Sequence, residues 1–128
     1  INAAFVRVMQ ECATARTDGN WINQEFIDAY TTLYQMGHAH SVEVWNKKGE
    51  LVGGLYGLRM NGLFAGESMF HRETDASKVA LMHLVDLMNL DGMKLLDTQW
   101  NTDHLASLGC MSVTRADYLT LLAAAIEP

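Results

Sequence analysis

Apolar residues recur at helical spacing over residues 2–16, at Phe5, Val6, Met9, Cys12 and Ala13, until the polar run TDGN breaks the pattern. A second helix is expected next. Asn23 is placed to cap it, Phe26, Ile27, Tyr30, Leu33 and Tyr34 form its inward stripe, and Gly37 ends it. The pattern then changes to short apolar runs. HSVEVWN, LVGGLYGLRM and LFAG predict three strands, joined by a turn at Lys47, Lys48, Gly49 and Glu50 and by Asn61-Gly62, a dipeptide that favours a hairpin. GESMFHRETDAS reads as a loop leading into a helix over residues 76–90. Its Val79, Leu81, Leu84, Val85 and Met88 are expected to face inward, and Gly92 closes it. Residues 94–99 predict a fourth strand, 103–108 a helical turn ending at Gly109, MSVT a fifth strand, and 115–126 a last helix. Thr114 with Asp117 resembles a capping box, with aspartate in place of the longer Glu or Gln.

The order ααβββαβαβα, without internal repeat or low-complexity linker, predicts one α/β domain over residues 1–128, a mixed central sheet flanked by helices. A chain of this length buries roughly two thirds of its unfolded surface, enough for one core. With 49% apolar and 19% charged residues it has the composition of a globular protein. The net charge of −6 and the scattered basic residues argue against broad capture of a nucleic-acid backbone, and the acidic field suits a small cationic substrate. Cys12 and Cys110 have no CxxC spacing, so neither a zinc knuckle nor a disulfide framework is indicated; both are expected as reduced thiols of a cytoplasmic protein. No apolar run approaches the ~18 residues of a membrane span, so no membrane partner is expected. Opening on Ile1 rather than Met is expected of a processed chain or of part of a longer one.

The polar groups of LLDTQWNTDHLASLG are the first candidates for chemistry. Residues two apart in a strand share a face, so Asp97 and Gln99 project together while Thr98 and Trp100 point away. A carboxylate there can accept from the Gln99 amide and aim its carbonyl oxygen outward. A structural pair at a sheet edge has the same spacing. Glu67, beside Gly66, is either a site acid or a solvated loop acid. Ser68 and His71 lack an acid partner and a GxSxG elbow, which disfavours a serine hydrolase. His38 and His40 share a predicted strand face without a third ligand, so no metal is expected. His104 reads as a backbone-bonding residue and the eight methionines as packing. Trp21, just before a helix, either closes the core or offers a flat face to a base.

The strand-helix-strand order resembles acetyl-CoA-dependent acyltransferases, but the corresponding loop FHRETDAS has no glycine to let backbone amides cradle a pyrophosphate, so CoA is disfavoured. A closer resemblance is carried by GHAHSVEVW, ELVGGLYGL, LFAGESMFHRETDASKVAL, LLDTQ, HLASLG and RADYL, in that order and spacing. From about Phe5 to Leu122 the chain resembles the bacterial leucyl/phenylalanyl-tRNA–protein transferases. The resemblance implies a single GNAT-like acyltransferase domain, with the family's N-terminal region and C-terminal tail outside these 128 residues. It implies transfer of Leu or Phe from the 3′ end of charged tRNA to proteins with N-terminal Arg or Lys, marking them for degradation, with no cofactor.

Carried over residue by residue, the family's mechanism falls on Asp97 and Gln99, the acid orienting an amide that helps take a proton from the attacking amine. A neutral amide is a weak base. An α-amino group with a pKa near 8 is already about a tenth neutral at pH 7, so orientation supplies much of the rate. Glu67 matches a pocket glutamate suited to an ammonium group, and Trp21 a tryptophan near the terminal adenosine. Leu55, Met69, Leu81, Leu84 and Leu96 match positions expected to line the pocket for the Leu or Phe side chain. The middle residue of the DxQ motif, often cysteine, is Thr98 here. The other reading is a non-catalytic homologue that binds basic N-terminal peptides.

Overall fold

Two helices, α1 (Phe5–Ala15) and α2 (Gln24–Gln35), precede a meander of three strands, β1 (Ala39–Trp45), β2 (Leu51–Met60) and β3 (Leu63–His71). Helix α3 (Ala76–Leu90) carries the chain across the sheet to β4 (Leu95–Asp97), and α4 (Arg115–Ile126) follows. The structure is a computed structural model and describes residues 2–15, 23–98 and 110–126. The sheet order is β1-β2-β3-β4, antiparallel except for the β3–β4 pair. A parallel neighbour needs a crossover, and α3 provides it.

The sheet is covered on both faces. On one, Phe5, Val8, Met9 and Cys12 of α1 pack on Ala39, Leu51, Tyr56 and Phe70. On the other, Ala80, Leu81, Leu84 and Met88 of α3 pack on Val42, Leu55 and Phe64. Strand β2 runs through the middle and is buried from Leu51 to Gly57. Its glycines are steric requirements. A Cβ on Gly53 would stand 2.5 Å from the Ala76 Cβ, and one on Gly57 2.3 Å from the Ala65 carbonyl oxygen.

Helix α2 buries no residue fully and docks through rings instead. Tyr34 stacks on Phe5 with centroids 4.6 Å apart, and Tyr30 meets the buried Tyr56 edge-on at 5.9 Å. Each such pair contributes about 0.5–1.5 kcal/mol beyond the area it buries. The expected cap is present, the Phe26 amide donating to Asn23 Oδ1 at 2.9 Å, and Gly37 follows the helix with φ +85°. Helix α1 is held from β1: the amides of Ala3 and Ala4 donate to the two Glu43 carboxylate oxygens, each at 3.2 Å.

The Asn61-Gly62 turn joins three elements. Asn61 takes φ +51°, with Met60 and Leu63 paired across the turn. The Gly62 amide donates to the Ala125 carbonyl at 2.8 Å and Asn61 Nδ2 to the Ile126 carbonyl at 2.6 Å, at the end of α4. The Gly62 carbonyl accepts from the amides of Lys94 and Leu95, where β4 begins.

Helices α2 and α3, the hairpins and the mixed flanked sheet match what the sequence predicts, and several other expectations change. GESMFH is not loop: β3 continues through Gly66 to His71, so Glu67 lies in a strand. MSVT forms no strand; residues 110–114 are irregular, with Met111 80% exposed. Val79 faces solvent, because Ala76, Ala80, Leu84 and Met88 mark the inward face of α3, and on α1 Val8 is buried where Val6 was expected. His38 precedes β1, so only His40 belongs to that strand. The fourth strand is the short Leu95–Asp97, and the turn expected over 103–108 lies outside the described residues.

Candidate functional site

The ladder between β3 and β4 runs through Leu63–Leu95 and Phe64–Leu96 and stops at Ala65–Asp97. Just beyond that point β3 bulges. Tyr56 faces Ser68 while Gly57 faces Gly66, so Glu67 is the extra residue with no opposite number on β2. A bulge bends the strand and re-aims the side chain at it. Asp97 lies opposite Ala65 at the end of that ladder and Glu67 two residues further along β3, and Ala65 to Met69 are half-buried there, as are Leu95 to Thr98.

Each carboxylate is met by a phenol from a different helix. Tyr30 of α2 hydrogen-bonds Glu67; burial first, then that bond and the Glu67 charge, raise the Tyr30 pKa well above its ordinary value. Tyr118 of α4 donates to Asp97 Oδ2 at 2.5 Å. That bond first, then burial and the Asp97 charge, likewise raise the Tyr118 pKa. Both phenols are thus protonated donors throughout the neutral range. In the sequence Tyr30 reads only as part of an apolar stripe and Tyr118 only as part of RADYL. The available signal is general: a tyrosine on a stripe carries a hydroxyl that needs a partner.

The five predicted pocket residues are brought together, on the α3 face. Leu55, Leu81 and Leu84 are buried in the α3 core, and Met69 and Leu96 pack against it while remaining partly exposed. Leu96 pairs with Phe64 on that face, which turns the side chain of Asp97 towards the opposite face, where Tyr118 meets it. Gln99 and Trp21 lie outside the described residues. Ser68 and His71 are three apart on β3 and so face opposite sides. His40 accepts at Nδ1 from Asn2 Nδ2 at 3.0 Å. Among the described residues no three His, Cys, Asp or Glu side chains group as metal ligands.

In this α/β domain two carboxylates, each bonded by a phenol from a flanking helix, lie near the point where β3 and β4 part. The family model for leucyl/phenylalanyl-tRNA protein transferase matches residues 1–123, and the chain belongs to that family. Proteins named leucyl/phenylalanyl-tRNA–protein transferase are 52% identical over 123 residues in Syntrophobacter fumaroxidans, 46% over 129 in Pseudoalteromonas atlantica and 50% over 126 in Herpetosiphon aurantiacus. These matches cover 94%, 99% and 98% of this chain but 52%, 55% and 64% of those proteins, so the chain spans little more than half of their length. An acetyltransferase from Bacillus cereus overlaps 63% of this chain and 68% of its own at 18% identity and a TM-score of 0.41, a likeness too distant to bear on the fold.

Proposed function

We propose that this domain is an aminoacyltransferase that moves Leu or Phe from the 3′ end of charged tRNA to the N-terminal Arg or Lys of acceptor proteins in the cytoplasm, marking them for degradation. The observation that carries the reading is the pair of oriented carboxylates, Glu67 and Asp97, where β3 and β4 part. In the reaction the acceptor's α-amino nitrogen attacks the ester carbonyl of the aminoacyl-tRNA. A C–N bond forms, the C–O bond to the ribose breaks, and the amine's proton passes to the ribose oxygen.

Asp97 and Gln99 are assigned the handling of that proton, Asp97 orienting the Gln99 amide. Two acids near the end of the β3–β4 ladder in a chain of net charge −6 also favour a cationic acceptor, and Glu67 is assigned the ammonium or guanidinium group. Leu55, Met69, Leu81, Leu84 and Leu96 supply the apolar surface for the transferred side chain, with Met69 and Leu96 at its accessible rim. One methylene in such a pocket discriminates by only about 1–3 kcal/mol, which fits acceptance of both Leu and Phe. Trp21 is assigned to stack on the terminal adenosine, worth about 1–3 kcal/mol. The loop into α3 supports an ester donor over CoA. It has no glycine to bring backbone amides against a pyrophosphate, and Asp75 occupies the N-cap position of α3.

The test is transfer of labelled leucine from leucyl-tRNA to a peptide beginning with Arg, using the 128-residue chain. Label on the free peptide and none on its N-acetylated form is the expected result. A folded chain that transfers nothing at high concentration overturns the reading. Binding that discriminates Arg from acetyl-Arg without turnover would leave the peptide-binding homologue in its place.

A further inference from the structure

Helix α4 poses a problem that its contacts answer. Its sequence is apolar nearly all round, yet only Tyr118, Leu122, Ala125 and Ile126 of it are buried or half-buried. Burial of a broad face is therefore not what holds it. It is fixed at its ends instead. At the start, the Asp117 amide donates to Thr114 Oγ1 at 3.1 Å and the Tyr118 amide to the Thr114 carbonyl at 2.9 Å. At the far end, Asn61 and Gly62 donate to the carbonyls of Ile126 and Ala125.

The same Gly62 carbonyl accepts from Lys94 and Leu95, so one turn pins the end of α4 to the beginning of β4. From that pin the two elements span matching lengths. Tyr118 to Ala125 is seven helical steps, about 10 Å, and Lys94 to Asp97 is three strand steps, also about 10 Å. The phenol and the carboxylate meet at the other end, 2.5 Å apart, closing the frame.

We infer that Tyr118 is the positioning residue of Asp97, its phenol fixing the orientation in which the carboxylate handles the transferred proton. The inference rests on the reading of Asp97 given above. Asp97 is the last residue of β4, where the ladder to β3 ends, and Tyr118 reaches its carboxylate from α4. A bond to Oδ2 fixes the plane of the carboxylate and with it the direction of Oδ1. Tyr118 touches neither substrate nor reacting atoms in this assignment; it acts through Asp97.

Tyr118→Phe removes the hydroxyl and keeps the ring's packing. In the leucine-transfer assay it is expected to lower kcat by about tenfold while the KM for the Arg-peptide stays within about twofold, as for lost orientation. Asp97→Asn is expected to lower kcat further, and the double variant to match Asp97→Asn alone, because the tyrosine has nothing else to position. Unchanged kcat in Tyr118→Phe, or losses that multiply in the double variant, would overturn the inference. A wild-type chain without transfer would count against the proposed reaction, and the pairing is then decided by NMR titration of tyrosine labelled with 13C at Cζ. One phenol that titrates above ordinary tyrosine, and moves down in Asp97→Asn, supports it. A Tyr118 signal indifferent to Asp97→Asn overturns it.

Discussion

Glu43 and Gly53 illustrate how much single positions contribute to this fold. Glu43 accepts from the amides of Ala3 and Ala4 at the start of α1, doing from a neighbouring strand what a capping residue does from within a helix. Glu43→Ala is expected to cost about 1–2 kcal/mol, the upper range for a lost cap, read from urea unfolding. Gly53→Ala forces a Cβ to 2.5 Å from the Ala76 Cβ at the start of α3, and overpacking of this kind costs about 1–3 kcal/mol. A melting temperature equal to that of wild type would contradict that contact. The sequence marks both residues as parts of strands but says nothing of these roles, because the partners lie 39 and 23 positions away. The same separation hid the hydroxyls of Tyr30 and Tyr118. Of their carboxylate partners, Asp97 is legible because an acid stands out in a short apolar strand, and Glu67 as a loop acid beside Gly66.

Among the elements, periodicity predicted most of what formed. Helix α3 runs over the residues expected, the hairpin turns at Asn61-Gly62, and Asn23 caps α2. The misreadings have physical causes. GESMFH looked like loop because the bulge at Glu67 breaks strict alternation, and MSVT looked like a strand although a strand requires a neighbour to pair with. Strand β1 also carries a pH response. Burial first, and then the nearby Arg59 charge, lower the His40 pKa below its ordinary value, with the Gly37 backbone partly opposing them. The folded chain thus resists protonation more than the unfolded chain does. The stabilisation is complete above the unfolded value of about 6.5 and is lost as pH falls through the lower folded value. Urea midpoints are expected to drop from pH 7.5 to pH 5.5, and His40→Gln, which still offers Asn2 an acceptor, is expected to flatten that slope. A slope unchanged by His40→Gln would remove His40 as its source.

At the scale of the molecule, the sheet places a filled apolar core on its α3 side and the Asp97 carboxylate on the other, with the parting of β3 from β4 between them. Family membership was legible in the ordered motifs, whereas the bulge that aims Glu67 and the frame that holds Tyr118 became visible only in three dimensions. The most direct measurement is the single-turnover rate of leucine transfer to an Arg-peptide by wild type, Asp97→Asn and Glu67→Gln at matched folded concentration. Wild type is expected to transfer leucine, Asp97→Asn to lose about a hundredfold or more, and Glu67→Gln to capture the peptide more weakly, as the proposed reaction requires. Folded Asp97→Asn and Glu67→Gln chains that transfer leucine at the wild-type rate would contradict it.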